Sequence, residues 1–279
     1  MGDLDVPRGP RHGPYPGTVD PARVAAYAAA TSDRSPAVLA GEAVPATFPV
    51  LLAFDGVNDA LNDIPPAVKD QMRGGVHGEH DIVLHRPLVP GEALDTFATL
   101  SAVRQSRAGL SAITHFEQYA ADGELVVEQW WSTLLFGITD VNDSGEAGAD
   151  HAFPEAARAR PLGSGTLRVD DDVAQRYGEV SGDWSAHHFE LDAAKVSGFD
   201  FLFAHGLCVM AMATSQTVAL VADGDPRRVR RVAVRFASPT RMGADLQVDV
   251  FRIDPVEVAF EATCADATVI RHGRLELRA

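Results

Sequence analysis

The chain has 279 residues, 46% hydrophobic and 23% charged, which is ordinary globular material for one or two buried cores. Its formal net charge of −15 argues against nonspecific nucleic-acid binding, which needs phosphate-neutralising Lys and Arg, and against a general affinity for anionic membranes. A charged small molecule in a local basic pocket stays open. The two cysteines, Cys208 and Cys264, lie in apolar runs without CxxC spacing and read as small buried hydrophobes, so no zinc or disulfide framework is expected. The first residues lack the apolar core of a signal peptide, and no apolar run is long enough to span a bilayer, so a cytoplasmic protein is expected.

Residues 1–18 are rich in Pro and Gly and read as irregular. Asp20-Pro21 then starts a helix, with Asp as cap and Pro at the first helical position. It ends near Thr31–Pro36. A second helix is predicted over 48–62, carrying Phe48, Val50, Leu51, Phe54, Val57 and Leu61. Residues 74–88 read as a strand, with Ile82 and Leu84 alternating with polar neighbours. Strands at 93–104, 109–120 and 124–137 follow, joined by turns at Arg107-Ala108-Gly109 and Ala121-Asp122-Gly123. Trp130 and Trp131 read as core or interface.

Residues 139–160 are small and polar, without a sustained apolar period, and read as a linker. The division is thus 1–140, a linker at 141–160, and 161–279. The second half opens with a strand at 165–169 and a helix from Asp170 or Asp171 to Tyr177. A loop holding Asp183 and His188 follows, then a short helix at 192–197 and a long one at 206–222. Strands are predicted at 227–237, 245–252, 256–265 and 269–277.

The halves match at an offset of 150 residues: Tyr27 with Tyr177, Asp33 with Asp183, and Asp55-Gly56-Val57 with His205-Gly206-Leu207. The ordered set implies a duplicated unit of helix, loop, long helix and antiparallel strands. Residues 207–222 are apolar or small on nearly every face, so that helix must be buried. An antiparallel sheet curled around it is the simplest α+β solution.

The chemistry concentrates in Tyr177–Leu220. Asp183 stands five residues before His188, and His205-Gly206-Leu207 comes seventeen residues later, opening the long helix. The run SGDWSAHHFELDAAKVSGFDFLFAHGL resembles the signature of the MaoC-like, (R)-specific enoyl-CoA hydratases, the hydratase 2 family. A weaker likeness reaches Val234–Pro239. The resemblance implies a double hot-dog fold, two repeats each wrapping a sheet around a long helix, with the first repeat degenerate. Asp33 has no His five residues later; position 38 is Val.

Carried over, Asp183 and His188 fall on the family's catalytic pair, and Gly206 on the residue whose backbone N–H holds the thioester oxygen. Ser185 stands where Asn is usual and could still hydrogen-bond substrate, Ala186 stands where Pro is usual, which loosens the loop, and His187 precedes the catalytic His. His187 is expected to face away or to support the loop, and His205 to support the catalytic residues from behind or to play a structural part.

The implied reaction adds water across the Cα=Cβ bond of a trans-2-enoyl thioester. An acid–base pair flanking one water contributes roughly 10²–10⁴ in rate, and one oxyanion donor about 3–4 kcal/mol. No cofactor is expected beyond the coenzyme A thioester that is the substrate, and no metal. The sequence does not order Asp183 and His188 on the water.

The basic run Arg227–Arg231 puts Arg228 and Arg230 on one strand face. It reads either as a solvated edge that discourages strand pairing or, with Arg235, as a contact for coenzyme A phosphates. A homodimer is expected from the family. The rival readings are a hot-dog thioesterase, which would need an acidic residue that 206–220 lacks, and a non-catalytic acyl-CoA-binding subunit.

Overall fold

The computed structural model describes residues 4–196 and 198–279. Its residues cluster into two units. One holds residues 4–18, 49–85 and 93–150; the other holds 19–48, 86–92 and the described residues from 151 to 279.

The first unit contains β1 (His12–Thr18), a 3₁₀ turn (Phe48–Leu52), β2 (Gly74–Leu84), β3 (Ala93–Ser106), β4 (Gly109–Ala120), β5 (Leu125–Phe136) and the short β6 (Ser144–Gly145). The strands run antiparallel in the order β1-β3-β4-β5-β2, with β6 pairing β3. β1 corrects the expectation of an irregular N-terminal segment. Its HGPYPGT sequence avoids regular pairing only at His12–Tyr15, where the register shifts. The helix predicted over 48–62 is instead the 3₁₀ turn followed by a helix at Phe54–Asn62, because Pro49 breaks the earlier turn. Ile82, Leu94, Leu100, Leu110 and Phe116 form the fully buried core of the sheet.

The second unit begins with α1 (Pro21–Ala30), whose start follows the sequence: Asp20 accepts from the Arg23 amide at 2.9 Å and Pro21 is first. Next comes α2 (Pro36–Leu39); the Phe54–Asn62 helix of the first unit is α3, and Pro66–Lys69, also in that unit, is α4. The second unit resumes with β7 (Pro161–Val169), α5 (Val173–Ser181), a 3₁₀ turn (Ala186–His188), α6 (Leu191–Val196), β8 (Phe203–Ala204) and α7 (Gly206–Val221). The last position predicted for α6, 197, lies outside the described residues. The chain ends with β9 (Val229–Phe236), β10 (Thr240–Arg241), β11 (Ala244–Arg252), β12 (Glu257–Cys264) and β13 (Ala267–Leu277). Strands β9-β13-β12-β11-β7 form an antiparallel run in that order.

Ten of the sixteen residues of α7 are buried, Leu207 through Thr214 with Thr217 and Val218, so the helix is covered on almost every side. It packs on β7, β9, β11 and β13. Each fully buried Val or Met there contributes about 1.5–3 kcal/mol by leaving water. This core fixes where α7 starts, and with it the position of Gly206. No described helix is long and apolar enough to cross a membrane.

The Tyr pair of the internal repeat is in contact: the rings of Tyr27 and Tyr177 lie 6.1 Å apart, both fully buried. The repeat also extends further than its first pairings. Asp33 accepts from the Ser35 amide at 2.8 Å, and Asp183 accepts from the Ser185 amide at 3.1 Å, so both copies make the same turn.

Candidate active site

Helix α5 ends on Gly182, whose φ of 81° is open to glycine and costly for a side chain with a Cβ. That left-handed residue turns the chain so that Asp183 leaves the helix facing α7. The Asp183 carboxylate then gathers three donors or near-donors. The Ser185 hydroxyl donates to Oδ1 at 2.6 Å and the Ser185 amide at 3.1 Å. The His205 Nε2 lies 3.9 Å from Oδ2 and donates to the Asp183 backbone carbonyl at 3.0 Å. Burial alone would raise the Asp183 pKa. The Ser185 hydroxyl, His205 and the Ser185 amide outweigh it and hold the carboxyl below its ordinary value, so Asp183 is an anion at neutral pH.

His188 is buried at the end of the 3₁₀ turn. Its Nδ1 lies 3.0 Å from the Phe203 carbonyl oxygen. A carbonyl only accepts, so Nδ1 carries the proton. Burial first, then the neighbouring His205 and His187, push the His188 pKa down to about 3. The ring is therefore neutral, and Nε2 is a bare acceptor. The His188 and His205 rings lie 3.7 Å apart, and Tyr177 packs on His205 at 5.1 Å.

The ligating atoms of Asp183, His188 and His205 all lie within 4.8 Å of one another. A cluster of this size is on the scale that one water bridges, since a water donating two hydrogen bonds of about 2.8 Å joins acceptors roughly 4.6 Å apart.

Gly206 is the first residue of α7, and the first intrahelical bond runs from the Val209 amide to the His205 carbonyl at 3.1 Å. The amides ahead of it find no acceptor within the helix, and the helix dipole favours a negative charge there. A Cβ on Gly206 would sit 3.3 Å from the Phe236 ring, so glycine lets another group come close to this amide.

The other expected site residues behave differently. The Ser185 hydroxyl proton is directed at Asp183, so Ser185 orients the carboxylate. Arg228 faces Asp223 at 3.6 Å, and Arg230 is held by Glu276 at 2.8 Å, with Arg231 on the same carboxylate at 3.1 Å. These ion pairs engage the basic run with carboxylates of the same unit. Arg235 is an exposed residue of β9, next to the Phe236 that packs on Gly206.

Two further departures from expectation matter. The loop is not loosened by Ala186: backbone bonds His188–Ser185 (3.0 Å), Phe189–Ala186 (3.0 Å) and Glu190–Ala186 (2.7 Å) tie it into a turn. His187 does not face away; its Nε2 is 3.1 Å from His188 Nε2. His205 carries both a hydrogen bond to the Asp183 backbone and a stacking contact with His188.

Residues 153–272 match the family model described as a MaoC like domain. The chain is 29% identical over 228 residues to "3-hydroxyacyl-thioester dehydratase X" of Mycobacterium tuberculosis, covering 81% of this chain and 74% of that protein. It is 25% identical to "Enoyl-CoA hydratase 2, peroxisomal" of Arabidopsis thaliana, covering 74% and 68% of the two chains. Among solved structures, a MaoC-like dehydratase from Phytophthora capsici matches with a TM-score of 0.83 at 22% identity, over 97% of this chain and 96% of that one. A Mycobacterium tuberculosis protein described as a double hot-dog fold matches at 0.59 and 16%, over 96% and 95%. The fold is a double hot-dog.

Proposed function

We propose that this chain, whose residues 153–272 match the MaoC like domain, is a MaoC-like enzyme that catalyses the reversible hydration of 2-enoyl thioesters to 3-hydroxyacyl thioesters. The observation that carries this reading is an ionised Asp183 beside a neutral His188 whose proton is held on Nδ1, their ligating atoms clustered with that of His205 within 4.8 Å, in the unit whose long helix begins at Gly206.

The protonation states shape the mechanism. Asp183 is ionised, and the one proton of His188 is engaged by the Phe203 carbonyl. The resting pair therefore holds no acidic proton to give. The water donates one hydrogen to the Asp183 carboxylate and one to His188 Nε2, and its oxygen attacks Cβ. As the C–O bond forms, the π electrons move toward Cα and the thioester oxygen gains charge, which the Gly206 amide receives. The proton taken from the water is delivered to Cα, closing the balance: one O–H and one π bond break, one C–O and one C–H form. Both new bonds come from the same face if the pair that takes the proton also returns it. In reverse, the pair removes the Cα proton and water leaves.

Each step uses protein groups and water, and coenzyme A enters as part of the substrate. The R configuration at C3, the acyl-CoA form of the thioester, a homodimer and a cytoplasmic location complete the reading. So does the division into a degenerate first repeat and a catalytic second one, the latter supplying Asp183, His188 and Gly206.

Purified protein mixed with crotonyl-CoA and longer enoyl-CoA esters should remove the enoyl absorbance. Asp183→Asn should lower kcat by roughly 10²–10⁴. A wild type inert across chain lengths, or a D183N variant as fast as wild type, overturns the proposal. Chiral analysis of the product tests the configuration at C3, and gel filtration the dimer.

A further inference from the structure

His187 is the residue of the loop that the reaction above does not use. Its ring lies nearly parallel to Phe203, with centroids 5.4 Å apart and planes 15° off. The backbone carbonyl of that same Phe203 fixes the His188 tautomer. His187 Nε2 is 3.1 Å from His188 Nε2. Two ring nitrogens at that distance share one proton, and it cannot belong to His188, whose proton sits on Nδ1. His187 is therefore the donor. Its N–H points into the lone pair that the reacting water would need.

The contact is built to open. His187 is half-buried, whereas His188 is buried and held by the Phe203 carbonyl. The one polar contact of the His187 ring among the described residues is the bond to His188. A turn about its side-chain bonds would carry the ring toward solvent without breaking the 3₁₀ turn, whose backbone bonds do not involve the ring.

We propose that His187 is a positioning residue that caps the His188 lone pair in the unliganded protein and yields it to the water when the thioester binds. The inference rests on the hydration reading for its purpose, though not for its geometry. Capping keeps the base neutral, oriented and closed to stray protons until substrate fills the site. One hydrogen bond is then exchanged for another, so the cost of opening stays small.

Two variants test this. His187→Phe keeps a flat ring on Phe203 and removes the N–H. His187→Gln keeps a side-chain N–H donor and removes the imidazole. The readout is the ring-nitrogen NMR spectrum of protein labelled with ¹⁵N-histidine. In H187F the His188 Nε2 resonance should move downfield to that of a bare imidazole nitrogen, while in H187Q it should stay near the wild-type position. Hydration by H187F should rise about fivefold in kcat/KM, the worth of one neutral hydrogen bond that no longer has to be broken. An unchanged His188 Nε2 resonance in H187F overturns the capping. A bare Nε2 with a tenfold or greater fall in kcat/KM overturns the release, because His187 would then be needed at the water. If no enoyl thioester is turned over by any form, the hydration reading fails, and the spectra still decide the capping.

Discussion

Replacing Ser185 by Ala removes one hydrogen bond from Asp183 and leaves the rest of the turn in place. The Ser185 hydroxyl meets Asp183 Oδ1 at 2.6 Å, while the backbone amide at 3.1 Å survives the change. A hydrogen bond to a charged group is worth about 1.5–3 kcal/mol. Asp183 keeps about a fifth of its side-chain surface, 22%, in contact with solvent, so the lower end applies. About 1.4 kcal/mol is one pH unit. Burial already pulls this pKa upward, and Ser185 is the largest force holding it down. S185A should therefore raise the acid limb of the kcat/KM profile by about one unit. The stability change has a definite sign. The folded pKa is depressed, so the stabilisation is present above the ordinary value of 3.8 and is lost as pH falls through the folded value. S185A should be less stable than wild type to urea by about 1 kcal/mol at pH 7, and the gap should close in acid. Ser185→Thr retains a hydroxyl and should restore both. An acid limb and a pH 7 stability that S185A leaves unmoved would refute the assignment of Ser185 to Asp183.

Other consequences are simpler to read. His188 has a folded pKa of about 3 against an ordinary 6.5, so the unfolded chain binds an extra proton between those values and stability must fall as pH drops through that window. Urea melts should show a slope of up to about 1.4 kcal/mol per pH unit from this group, and His188→Asn should flatten it. The Tyr177 hydroxyl is buried with no hydrogen-bond partner among the described residues, so Tyr177→Phe should be neutral or raise the melting temperature. Met210 is fully buried in α7, and Met210→Ala should cost about 2–5 kcal/mol of stability by thermal melting.

The α7 helix was legible because nothing else explains sixteen residues without a polar face. The helix start at Asp20-Pro21 was legible because capping is a local chemistry written in two residues. The Asp183–His188 pairing was legible through spacing and resemblance. What could not be read was direction. Spacing says that His187 and His188 are adjacent, and a chain of adjacent residues in an extended loop would point them apart. The 3₁₀ turn at Ala186–His188 instead folds them onto the same side, against Phe203. Likewise, alternation along a strand placed Arg228 and Arg230 together, but Arg228 lies in a 3₁₀ turn before β9, and each Arg meets a different acid. β1 was invisible because Gly and Pro usually mark loops, yet pairing to β3 needs only the backbone groups that those residues still carry.

The two copies of the repeat show why the chemistry needs more than its two titrating side chains. Asp33-Arg34-Ser35-Pro36 makes the turn that Asp183-Trp184-Ser185-Ala186 makes, with the serine amide on the aspartate in both. In the first copy the chain continues into α2, and Val38, five residues after Asp33, packs with Ala28 and Ala43 in a buried cluster. A histidine there would be buried against the Ala28 and Ala43 methyl groups. In the second copy a 3₁₀ turn replaces the helix, and β8 brings the Phe203 carbonyl to His188 three residues before Gly206, where α7 begins. The segment from 203 to 206 thus sets the base and presents the amide at once. A histidine grafted at position 38 would thus sit in a packed apolar cluster, whereas His188 stands on a turn with its Nδ1 proton held by the Phe203 carbonyl.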